Sequence, residues 1–135
     1  NKNEFYSLNK KNGFVNWKQT INSDIRPIIT DKLIFTVSND GYLFVIDSIN
    51  GNILKTQNLL EDYHDKKKEN IKPLGILLGI NEIFVTFSDG KLYVYNIIDL
   101  KKIKTVKLDR NHISRPFFYN EKIYVIKDNA VIEIY

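Results

Sequence analysis

Apolar and polar residues alternate along most of this chain, in short runs rich in Ile, Val, Tyr and Phe that are separated by clusters of Asn, Asp and Gly. A period of two marks extended backbone, in which neighbouring side chains point to opposite faces. β-Branched and aromatic residues strengthen the assignment, because they fit a pleated, packed surface. The pattern predicts thirteen strands, at 2–8, 14–20, 27–30, 32–37, 42–47, 52–57, 74–78, 82–87, 91–96, 102–108, 116–119, 122–126 and 130–135. One further stretch, 59–70, is long enough for a helix, but its core lacks an apolar stripe and reads as a solvated loop. The expected fold class is all-β.

The strands fall into repeats. The segment from Ser38 through Asp40, Gly41 and Tyr42 to Asp47 recurs from Ser88 through Asp89 and Gly90 to Asn96, and again, degraded, from Lys127 through Asp128 to Tyr135. Its tail is also present at Glu4 to Asn9. A second element follows two of the copies: Asn9, Asn12 and Gly13 in one, Asp47, Asn50 and Gly51 in the other. Gly41 and Gly90 lie 49 positions apart, Asp89 and Asp128 39, and Gly13 and Gly51 38. A unit of about 40 residues with four strands is the sequence form of a β-propeller blade. The Asp-Gly and Asn-Gly pairs are expected to form two-residue hairpin turns, whose central positive φ such residues tolerate.

The longer middle spacing points to an insertion at 59–72. With strands labelled A to D from the propeller axis outward, the chain reads as a partial blade at 2–20, complete blades at 26–58 and 72–108, and a partial blade at 115–135. A partial β-propeller of three to four blades is therefore expected. The missing start methionine agrees with a piece of a larger ring. Strand edges left unpaired at both ends would then favour edge-to-edge pairing of two copies.

A Gly-x-Leu-Tyr strand followed by the Asn9, Asn12, Gly13 and Trp17 pattern resembles the repeat of the PQQ-type, quinoprotein-like β-propellers. The resemblance implies that Trp17, on a strand D, docks onto the neighbouring blade. Asp47, Asn50 and Gly51 match the pattern without the tryptophan, since Lys55 stands in its place. The third copy, from Asn96 to Lys101, has lost the glycine as well. The superfamily contains quinone-dependent dehydrogenases and non-enzymatic members of the BamB type, which are outer-membrane protein assembly factors. The enzymes imply Ca²⁺ ligands, a catalytic Asp, aromatics stacked on the quinone and often a vicinal cysteine pair. This chain has no cysteine, and its carboxylates fall in separate turns, so no cofactor, metal or catalytic residue is assigned. BamB-type chains end on a strand C much as residues 130–135 do, which implies that Tyr135 lies at or near the natural C-terminus.

Charge changes the picture little. The 135 residues carry 20 Lys+Arg against 16 Asp+Glu, and 17 of the 20 are lysines. With 20 Ile, 16 Asn and one Ala, that surplus reads as the codon bias of an AT-rich genome. Nucleic-acid readers favour arginine forks and clustered basic faces, so a nucleic-acid partner is not expected. No apolar run reaches the roughly 20 residues of a membrane-spanning helix. The absence of cysteine removes disulfides, thiolate metal sites and Cys nucleophiles.

Two polar features could meet a partner. Arg26, Lys72 and Arg115 each precede a proline that opens a strand A, so three cations would converge on one mouth of the axis and hold an acidic group. The alternative is that proline only starts the strand and the cation is solvated. The insertion presents Tyr63, His64 and three consecutive lysines, either as a partner loop or as a solvated excursion. His64 and His112, in different blades, lack a second ligand at metal-binding spacing.

By resemblance, the expected role is a non-enzymatic, periplasmic scaffold associated with the outer membrane. Its partner would be the periplasmic part of the outer-membrane assembly barrel. Two rivals stand beside it: part of a quinone-dependent dehydrogenase whose catalytic residues lie outside this segment, and a cytoplasmic WD40-like interaction protein.

Overall fold

Each predicted run becomes a strand. The computed structural model describes residues 3–109, 113–127 and 130–133, and among these the strands form four antiparallel sheets. The first pairs β1 (Phe5–Leu8) with β2 (Val15–Gln19). The second is a meander of β3 (Ile28–Ile29), β4 (Leu33–Val37), β5 (Tyr42–Asp47) and β6 (Ile53–Asn58). A one-turn helix, α1 (Asp65–Lys68), precedes the third meander, β7 (Pro73–Leu78), β8 (Glu82–Phe87), β9 (Lys91–Asn96) and β10 (Lys102–Lys107). The fourth sheet contains β11 (Phe117–Tyr119), β12 (Lys122–Lys127) and β13 (Ala130–Glu133).

Alternation along the central strands feeds two different cores. On β4 and β5, Ile34 and Ile46 face Trp17 of the first sheet and Ile21 just beyond it, whereas Phe35, Val37, Leu43 and Val45 face the third. On β8 and β9, Ile83, Val85, Phe87, Tyr93 and Tyr95 point back to the second sheet, and Phe84, Leu92 and Val94 point forward to Ile123 of the fourth. The sheets therefore stack face to face, and the middle strands are buried on both sides. Each such side chain contributes roughly 1.5–3 kcal/mol of burial. The outer strands β6 and β10 are mostly exposed and keep their lysines.

The hairpins differ from the two-residue expectation. Val37 pairs with Leu43, and the Ser38 N–H donates to the Tyr42 carbonyl at 2.8 Å, so residues 39–41 form a three-residue loop. Phe87 pairs with Lys91 in the same way around 88–90. Only the final glycine takes positive φ, +88° at Gly41 and +78° at Gly90, so Asp40 and Asp89 are ordinary turn residues. Two-residue loops occur instead at other hairpins: the Thr30 N–H donates to the Leu33 carbonyl around 31–32, the Gly79 N–H to that of Glu82 around 80–81, and Asn120 and Glu121, with φ of 45° and 63°, join the paired residues Tyr119 and Lys122.

The insertion is not simply a solvated loop. Leu59, Leu60 and Ile71 are buried at its two ends, and between them lies α1, which buries nothing. Periodicity inside the polar stretch could not reveal anchors that flank it. His112 and Asp128 lie outside the described residues.

Candidate functional site

The repeated turn is built from its asparagines and aspartates. Asp47 Oδ1 accepts the N–H groups of Ile49 and Asn50 at 2.8 and 3.1 Å, Asn50 Oδ1 accepts that of Asn52, and the Gly51 N–H closes onto the Asp47 carbonyl. Asn9 and Asn12 do the same around Gly13. Trp17 then docks on the next sheet: Nε1 donates to the Ser48 carbonyl at 3.0 Å, and the ring lies on Gly51, where a Cβ would come within 2.5 Å of it. Gln19 adds a 2.6 Å bond to the Gly51 carbonyl.

The third turn keeps the geometry without the glycine. Asn96 Oδ1 accepts from Ile98 and Asp99, Asp99 Oδ1 accepts from Lys101, and Leu100 occupies glycine's place at φ 59°. That conformation costs a leucine roughly 1–2 kcal/mol, and the side chain, 2% exposed, offsets the cost by filling the core. No ring competes for the space, because Lys55 stands where Trp17 stands one blade earlier and its Nζ donates to the Ile98 carbonyl. The tryptophan–glycine pair of one interface is a lysine–leucine pair at the next.

The cations divide two to one. Arg26 and Arg115 line a common cleft of about 450 Å³ between β3, β7 and β11. Lys72 is elsewhere: its backbone exchanges hydrogen bonds with Ser88, and its Nζ donates to the Asn39 carbonyl at 3.4 Å, beside Asp40.

Tyr63 is half-buried, with its hydroxyl bonded to Asp89 Oδ2 at 2.8 Å and to the Tyr93 hydroxyl at 2.6 Å. Lys91 donates to the same hydroxyl and pairs with Asp89 at 3.3 Å. Burial works against the Lys91 charge, but Tyr63 and Asp89 outweigh it and hold its pKa above the ordinary lysine value. Tyr63 thus ties the insertion to the third sheet, while His64 stays exposed as the N-cap residue of α1 without a side-chain capping bond. Asp62, Lys91, Tyr93 and Lys102, which complete this polar cluster, carry no signal in the sequence because the bonds of Lys91 and Tyr93 to Tyr63, and of Lys102 to Asp62, cross 28 to 40 residues.

Burial, then the Tyr63 hydrogen bond and the Asp89 charge, pushes the Tyr93 hydroxyl far above its ordinary value, and burial with the Glu61 and Asp62 charges does the same to Tyr95. A raised folded-state pKa means that the unfolded chain releases these protons first. Stability from both groups is complete below about pH 10 and falls as the pH rises beyond it. Urea midpoints measured from pH 8 to 11 should show this loss, and Tyr93→Phe should flatten it; an unchanged slope in the variant would contradict the assignment.

The two ends of the stack differ. The A–B and C–D turns share one end, since Ser48 N–H donates to the Lys32 carbonyl and Ile97 N–H to that of Asn81. At that end Phe14, Ile49, Ile80 and Ile98 are 72, 79, 95 and 69% exposed. The opposite end carries Asp40, Asp89, Lys72 and the polar insertion.

Among the described residues, the turn carboxylates Asp40, Asp47 and Asp89 do not converge on a Ca²⁺–quinone centre. Asp47 is committed to its own turn, Asp40 accepts from Ser38 Oγ, and Asp89 from Tyr63. Among the described residues no three His, Cys, Asp or Glu side chains stand close enough to hold a metal ion. Nor, among them, is any helix long and apolar enough to cross a membrane.

No protein-family model matches the chain, and no curated protein matches it in sequence. Solved structures do. BamB from Moraxella catarrhalis superposes with a TM-score of 0.70 at 10% identity, over 92% of this chain and 40% of that one. Sqt1 from Saccharomyces cerevisiae gives 0.71 at 13% identity, over 99% and 39%. A quinohemoprotein alcohol dehydrogenase from Pseudomonas putida gives 0.60 at 16% identity, over 78% and 17%. The chain spans well under half the length of each. Together with the stacked four-stranded meanders and the docked Trp17, these neighbours give the chain the fold of part of a β-propeller.

Proposed function

We propose that this chain is part of a larger PQQ-like propeller, with complete blades at 26–58 and 72–108 and partial blades at 2–20 and 115–135. Its role is that of a non-enzymatic scaffold that holds partner proteins, of the BamB type, at the periplasmic side of the outer membrane. The observation that carries the scaffold reading is the end of the stack where Phe14, Ile49 and Ile98 stand out from turns locked by Asx hydrogen bonds, with Ile80 exposed on a neighbouring hairpin turn. Exposed apolar side chains on rigid turns lose little conformational freedom when a partner covers them. Within the superfamily, the periplasmic part of the outer-membrane assembly barrel is the corresponding partner.

Calorimetric titration of the full-length protein tests this. The periplasmic part of the barrel should bind, and Ile49→Asp with Ile98→Asp should weaken binding at least tenfold without altering the circular dichroism spectrum. Tight, stoichiometric binding of pyrroloquinoline quinone with Ca²⁺ would establish the dehydrogenase alternative instead.

A further inference from the structure

We infer that the cleft between β3, β7 and β11 receives a peptide segment in which an acidic side chain stands beside an aromatic or aliphatic one. The site deepens the scaffold reading and rests on it, but it lies apart from the apolar turns described above. β3, β7 and β11 are each the terminal strand of their sheet, so the cleft runs along the inner edges of three stacked sheets. Leu74, Leu77, Phe117 and Phe118 give it apolar walls, and Arg26 and Arg115 supply the charge. Its volume of about 450 Å³ falls within the range of small-ligand clefts.

The two arginines are placed rather than trailing. Each precedes a proline whose ring fixes φ at the start of the strand, and Pro116 is buried. Gly75 lets the Arg115 segment lie directly on β7: a Cβ there would meet Arg115 Cβ at 2.5 Å. Asp24, the carboxylate in the same lining, is already bonded to Asn39 Nδ2 at 2.8 Å. Among the described residues, no carboxylate pairs with either guanidinium. Guanidinium groups beside low-dielectric walls favour a carboxylate, which they can hold through paired hydrogen bonds. The apolar walls require something that a free anion or a nucleic-acid backbone lacks, an adjoining hydrophobic side chain. A short acidic and aromatic peptide carries both.

Fluorescence anisotropy on the full-length protein can decide it, with dye-labelled, end-blocked Gly-Phe-Glu-Phe-Gly as probe and its Gln counterpart as control. The Glu peptide should bind at least tenfold more tightly than the Gln peptide, and more weakly as salt rises. Arg26→Gln and Arg115→Gln, both at exposed positions, should each weaken it roughly tenfold, whereas Lys72→Gln should leave it unchanged. Equal affinity for the two peptides, insensitivity to both arginine variants, or preference for an oligonucleotide of the same charge would overturn the proposal, as would absence of binding. Barrel binding without peptide binding removes the cleft alone; peptide binding without barrel binding removes the outer-membrane role alone.

Discussion

Trp17→Ala is expected to lower the unfolding free energy by about 3–5 kcal/mol, the range for truncating a buried large aromatic residue. Trp17 is only 8% exposed and is the largest side chain between the first two sheets, where it packs with Ile21, Ile34 and Ile46 and stacks on Phe5 at a centroid distance of 6.2 Å. Its loss opens a cavity and leaves the Ser48 carbonyl without its 3.0 Å donor. Both effects fall on one interface, so β1 and β2 should separate from the stack before the second and third sheets unfold. Urea denaturation followed by near-ultraviolet dichroism measures the first effect, and amide exchange resolved by segment measures the second. A loss below about 1 kcal/mol, the size of a typical surface change, would mean that the docking contributes no cohesion.

Gly51→Ala is expected to cost about 2–5 kcal/mol, from two sources that can be separated. The φ of +78° is unfavourable for any residue with a Cβ, by roughly 1–2 kcal/mol. Overpacking adds roughly 1–3 kcal/mol, because the new methyl group would sit 2.5 Å from the Trp17 ring. In a Trp17→Ala background only the φ contribution should remain, giving a double-mutant coupling of about 1–3 kcal/mol. Gly13 provides the internal control: its φ is +73°, yet a Cβ at this position would meet nothing within 4 Å, so Gly13→Ala should show the φ cost alone. If Gly13→Ala and Gly51→Ala cost the same, the tryptophan contact is too loose to matter.

The same pair explains how a repeat can decay without losing its shape. Where Lys55 replaces the tryptophan, the space above the next turn is vacant, and Leu100 fills it at the conformational cost that Gly51 avoids. The missing glycine alone understates the third turn, because the hydrogen bonds of Asn96 and Asp99 hold the left-handed residue in place.

The strand pattern was legible because it is local. The spans of β5, β8 and β9 follow directly from the alternation, and the blade spacing follows from the glycines at 13, 41, 51 and 90. The hairpin length was less legible: an Asp-Gly pair suits either a two-residue loop or a three-residue loop with a glycine bulge, and only strand register tells them apart. The candidate site was half legible. Three cations that each precede a proline imply equivalent starts of strand A, but Lys72 follows the insertion, whose anchors at Leu59, Leu60 and Ile71 set where the chain re-enters the sheet.

The sequence by itself determined the period, the places of the turns and the four-stranded unit, since these depend on backbone geometry over a few neighbouring residues. Only the tertiary structure decided which face of each strand meets which neighbouring sheet. It also decided that Arg26 and Arg115 share a cleft while Lys72 turns toward Asn39, and that Tyr63 is bound to Asp89 inside the molecule. Those outcomes depend on how whole blades stack, and stacking is set by the summed packing of side chains far apart in the chain, which no local pattern records.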